Sequence, residues 1–127
     1  MTLEEYNAYC KTLPASFKVV QWRGAHVWKV GVPDAAKVFA IGGRNEEGGT
    51  AITFKTSDLA YEILKDMPGL RPAPYLASRG MKWIQRYDEA GLSDDELRDY
   101  LKESHHIVSR GLTKGLQRRL GLDREAS

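Results

Sequence analysis

The chain has 127 residues, 42% of them apolar and 28% charged, with a formal net charge of +2. That is the size of one hydrophobic core and the composition of an ordinary globular chain, and no apolar run is long enough to cross a membrane. The N-terminus MTLEEYNAYCK lacks the basic start and apolar run of a signal peptide. The single Cys10 cannot close an internal disulfide, which fits a reducing cytoplasm.

Thr2 followed by Glu5 is a capping box, and Leu3, Tyr6, Cys10 and Leu13 then recur at helical spacing until Pro14. This predicts a helix over 3–13. From Phe17 the pattern changes to FKVVQW, HVWKV, KVFAIG and AITFK, short runs rich in β-branched and aromatic residues. Arg23-Gly24, Gly31 to Asp34 and GGRNEEGG separate them, so four strands in an antiparallel meander are expected. In AITFK, Ile52 and Phe54 point to one face and Thr53 and Lys55 to the other. TSDLAYEILKDMPG follows, with Ser57 as cap, Leu59, Ile63, Leu64 and Met67 as the expected apolar stripe, and Pro68-Gly69 as the stop. After PAPYLASRGMKW, the run WIQRY reads as a fifth strand. Ser93 and Glu96 make a second capping box. Leu97, Tyr100, Leu101, Ser104, Val108 and Leu112 then keep helical period to a weak point near Gly111. The expectation is one α+β domain over 1–127, an antiparallel meander of about five strands with N-terminal, middle and C-terminal helices. The tail 117–127 is a candidate for disorder.

Catalytic and metal-binding chemistry finds little here. His105 and His106 are adjacent, so on a helix they point about 100° apart. No CxxC, HExxH or GxSxG occurs. Cys10 lies on the inward stripe of the first helix, where a free thiol behaves as a small apolar group. GGRNEEGG lacks the Gly-Lys-Ser/Thr of a phosphate loop and fits a hairpin tip. The acid-rich run from Asp88 to Glu103 places Asp94, Asp95 and Glu96 in the first turn of a helix, where the macrodipole favours them. No metal and no cofactor are expected.

Nucleic-acid binding has a positive signal. The window 71–86 holds Arg71, Arg79, Lys82 and Arg86 and no acid, with Tyr75, Trp83 and Tyr87 in or next to it. Arg110, Lys114, Arg118, Arg119 and Arg124 follow in the last segment. Basic and aromatic groups together hold phosphates and stack on bases. The pI of 8.7 is close to the value of about 9 that flags such domains. Trp83, inside WIQRY, has the spacing of a packed strand residue.

The succession WKVG, KVFA and ITFK, then PAPYLASRGMKW, the helix start LSDDEL and SHHIVSRGLTK, resembles the MmcQ/YjbR family from about Phe17 to Lys114. The resemblance implies a small α+β fold similar to frataxin (the CyaY-like fold) and a proposed "double-wing" DNA-binding role. It brings no catalytic residues. Lys29, Lys37 and Lys55 match the family's strand lysines, Pro72, Tyr75 and Trp83 its loop residues, and Ser104 and Lys114 positions in its last helix. Two departures stand out. Ser78-Arg79 and Met81-Lys82-Trp83 replace an Asn-Lys before a His-Trp, which keeps the charge. Ser104-His105 replaces a Ser-Tyr, which removes an aromatic.

These readings combine into a non-enzymatic cytoplasmic protein that contacts DNA phosphates through Lys29, Lys37, Lys55, Arg79, Lys82, Lys114 and Arg118, with Tyr75 as a stacking group. The lysines of the strands are expected at the sheet edge. The protein is expected to be a monomer without a membrane partner. The alternative is a frataxin-like module that binds a protein or a small ligand and has no nucleic-acid role, motivated by the acidic window 87–104.

Overall fold

A computed structural model describes residues 1–44, 49–74, 76 and 79–123. The elements run α1 (Leu3–Lys11), β1 (Ser16–Gln21), β2 (Ala25–Val32), β3 (Ala35–Arg44), β4 (Thr50–Lys55), α2 (Asp58–Leu64), β5 (Leu70–Pro72), β6 (Trp83–Arg86), α3 (Asp94–Ser109) and α4 (Lys114–Arg119). The fold is α+β, and its one sheet has the order β1-β2-β3-β4-β6-β5 with every pair antiparallel. Both capping boxes form as their sequences require: the Thr2 and Ser93 hydroxyls accept from the Glu5 and Glu96 amides, and the glutamates accept from the cap amides.

Registers fix the two faces of the sheet. Trp28, Ala40, Phe54 and Ile84 lie side by side across β2, β3, β4 and β6 and belong to the core, with α1 and α3 packed on them. On the opposite face Val19, Val27, Ile41, Thr53, Gln85 and Arg71 form one row across all six strands. On the core face Tyr6 of α1 lies against Gly42. A Cβ there would come within 2.4 Å of the Tyr6 ring, so only glycine permits this approach. The Tyr6 hydroxyl donates to the His26 carbonyl at 2.9 Å.

A bulge sets the end of the sheet where β3 begins. Trp28 pairs with Ala40 but Lys29 pairs with Val38, so Phe39 is the extra residue. Phe39 and Ala40 both join the core. Pairing of β3 with β4 then stops at Ala40–Phe54, and the next couple in register, Phe39 with Lys55, is bridged by a side chain. The Ser104 hydroxyl of α3 donates to the Phe39 carbonyl at 2.7 Å and accepts from the Lys55 amide at 2.9 Å.

The structure corrects three expectations. A sixth strand, β5, pairs with β6 at the sheet edge. Only half of the expected α2 stripe holds: Leu64 is buried and Met67 packs against the core, but Leu59 and Ile63 are exposed and Tyr61 packs inward instead. Leu59–Ile63 and Ala60–Leu64 are both i,i+4 rows, so periodicity alone could not orient so short a helix. The C-terminal helix divides: α3 is capped by Arg110, and Thr113 caps a separate α4. Within the segment 117–127, Gln117 and Leu122 are buried; residues 124–127, including Arg124, lie outside the described residues.

Candidate nucleic-acid interface

Strand directions decide where the basic residues go. β2 ends, β3 begins, β4 ends and β6 begins at the same end of the sheet, since Val30 pairs with Lys37 and Lys55 with Trp83. Lys29, Lys37, Lys55 and Lys82 are thereby gathered at one end, and the three strand lysines lie on interior strands, not at the expected sheet edge.

They do not share one face. Lys29 and Lys55 lie on the face opposite α1 and α3, alternating with the core residues Trp28, Val30 and Phe54. Lys37 lies on the helix side. Its side chain runs against Gly111, where an added Cβ would meet the Lys37 methylenes at 3.1 and 3.2 Å. That contact puts Lys37 beside the turn into α4, close in sequence to the exposed Lys114. Arg118 is exposed in the last turn of α4. Arg110, not among the expected contacts, caps α3 at the same turn and donates to the Gln117 side-chain oxygen at 3.1 Å.

The loop before β6 turns back on Leu76, whose carbonyl accepts from the Arg79 amide at 3.1 Å and the Met81 amide at 3.2 Å. Arg79 is exposed in this turn. The Lys82 carbonyl accepts from the Thr56 amide at 3.0 Å, pinning the loop exit next to the end of β4. The Lys82 ammonium sits 4.7 Å above the Tyr61 ring of α2, a cation–π contact. None of Lys29, Lys37, Lys55, Arg79, Lys82, Lys114 and Arg118 makes an ion pair among the described residues. The expected stacking group Tyr75 lies outside the described residues.

Other members of the basic window are structural. Arg86 is 4% exposed and donates twice to the Leu92 carbonyl and once to Asp94, at 2.9 Å. Asp94 loses solvation there, but hydrogen bonds from the chain's amine and Arg86 outweigh that and hold its carboxyl below its usual range. Arg71 lies 4.5 Å above the Tyr87 ring and donates to Gln85 at 2.8 Å. Trp83 is buried, as its strand spacing predicts. The opposite end of the sheet is where α3 begins with Asp94, Asp95 and Glu96 in its first turn.

The remaining chemical candidates sit in the core or apart. Cys10 is fully buried, and burial pushes its thiol well above the usual range. His105 is buried against Phe39, its Nε2 2.7 Å from the Pro14 carbonyl, and loss of solvation lowers its basicity. His106 is half-exposed. Among the described residues no three His, Cys, Asp or Glu side chains converge on a metal site, and no helix is long and apolar enough to cross a membrane.

The crystal structure of protein DR2400 of Deinococcus radiodurans, with its DUF419 domain, superimposes with a TM-score of 0.79 at 20% identity, over 94% of this chain and 88% of that one. A protein from Pseudomonas syringae superimposes with a TM-score of 0.66 at 17% identity, over 85% of this chain and 99% of that one. These likenesses establish the fold. Comparison with curated proteins gives no match. The family model described as YjbR matches residues 11–107, the whole six-stranded sheet and nearly all of α3, and the chain belongs to the YjbR family.

Proposed function

We propose that the protein is a non-enzymatic, cytoplasmic DNA-binding protein that takes phosphates at the basic end of its sheet. The observation that carries this reading is the gathering of Lys29, Lys37, Lys55 and Lys82 by the strand ends, none of them neutralised by an ion pair among the described residues. Lysines on different elements at one end match a backbone that passes over the molecule, and phosphate contacts of this kind position a protein without reading sequence. Lys114 adds weight. It occupies the first position of α4, where the helix dipole disfavours a cation, so a charge there is retained at a small local cost. The acidic start of α3 at the far end repels the same polyanion and orients its approach.

An NMR titration with a short DNA duplex at low salt tests the reading. Amide shifts confined to the ends of β2 and β4, the start of β3, and the residues around Lys82 and Lys114 are the expected outcome. No shifts, or shifts centred on the start of α3, would reject it. A protein partner is the second reading, favoured by Val19 and Ile41, which remain half-exposed on the face of the sheet opposite α1 and α3.

A further inference from the structure

The two edges of the sheet differ. β5 has three residues and ends in Pro72, which has no amide to offer. β1 has six residues of regular pairing and, among the described residues, no strand on its outer side. The Gly31 amide donates to the Ala15 carbonyl at 3.0 Å, and this sets the phase of the ladder. Counting in twos from Ala15, Phe17 and Val19 direct their backbone groups towards β2, so Lys18 and Val20 direct theirs away from the sheet. Val20 is also 56% exposed.

Beside this edge runs a groove of about 560 Å³ between α1 and β1. It exists because α1 is anchored over β2. Asn7 bonds the His26 ring nitrogen at 3.0 Å and accepts from the Trp28 indole at 2.9 Å. Ala8 and the Trp28 ring line the groove, and Lys11 and Lys18 flank it. Neither lysine makes an ion pair among the described residues. Glu4 and Glu5 belong to the opposite end of α1, so the positive charge lies towards the Ser16 end.

An unpaired strand edge next to a helix-walled groove is the geometry in which an extended peptide adds as a further strand. We propose that β1 receives an extended acidic segment of a protein partner as a seventh strand. The segment's backbone pairs with Lys18 and Val20. Alternate side chains enter the groove over Ala8 and Trp28, and its carboxylates meet Lys11 and Lys18. Charge selects this occupant over a second copy of the chain, because a second β1 would bring its own Lys18 to the seam, and an edge lysine of this kind guards against self-pairing.

The test pans a random dodecapeptide display library on the full chain, then follows the most enriched peptide by anisotropy and hydrogen exchange. Expected are enriched sequences that alternate acidic with apolar residues, slowed exchange of the Lys18 and Val20 amides, and at least tenfold weaker binding by a Lys11→Glu/Lys18→Glu variant whose melting curve is unchanged. If that variant is destabilised, weakening of wild-type binding by added salt supplies the charge readout. The proposal is overturned by no enrichment over the bare support, by enriched peptides without acidic bias, or by protection elsewhere than β1. A peptide-free protein that sediments as a dimer with those two amides protected would assign the edge to a second copy instead.

Discussion

Ser104 makes two bonds at the point where the sheet stops pairing. Its hydroxyl is fully buried and stands between the Phe39 carbonyl and the Lys55 amide. Ser104→Ala leaves both backbone groups buried without a partner. At about 1–3 kcal/mol for each such group, urea denaturation should register a loss of about 3 kcal/mol; a loss under about 0.5 kcal/mol would mean that the bridge is dispensable. A serine in a helix reads as neutral, and only the bulge at Phe39 gives it this task, so the role was not legible from the chain. His105 is buried against Phe39 and bonds the Pro14 carbonyl. Because loss of solvation holds its folded basicity below that of the unfolded chain, protons bind the unfolded state more readily. Its contribution to stability is therefore complete above the unfolded pKa of about 6.5 and is lost as the pH falls below it. The melting temperature should fall between pH 7 and pH 5, before the carboxylates titrate, and the fall should shrink in His105→Leu. An unchanged slope in that variant would remove His105 as the cause.

Among the elements, the four meander strands and both capping boxes were readable because each signal is local: alternation, a turn residue, a hydroxyl three residues before a glutamate. β5 was not, since Leu-Arg-Pro is too short to alternate. Neither was the inward face of α2, where two apolar rows compete and the sheet decides between them. Close approach of elements is equally hidden. α1 can pack on β3 only because Gly42 has no side chain to meet the Tyr6 ring. Gly42→Ala should therefore cost about 1–3 kcal/mol by overpacking, read as a lower urea midpoint with the same slope. A variant as stable as the parent would show that α1 can shift freely.

At the scale of the molecule, the types of residue in the candidate site were legible and their grouping was not. Charge counting marked the 71–86 window, yet Arg86 is consumed internally and Arg71 is engaged with Tyr87 and Gln85. Lys29, Lys37 and Lys55 are far apart in sequence, and only the antiparallel order of β2, β3 and β4 brings them to one end. In the proposed DNA-binding role this end, and not scattered surface charge, neutralises the phosphates. The slope of log affinity against log salt for a DNA duplex counts those contacts, at about 0.9 for each phosphate neutralised. Lys37→Ala/Lys55→Ala/Lys114→Ala should lower the slope by about 2.7, while Lys65→Ala, which removes a lysine paired with Glu62, should leave it unchanged. Equal slopes for the parent and the triple variant, or no measurable binding by the parent at low salt, would contradict the account.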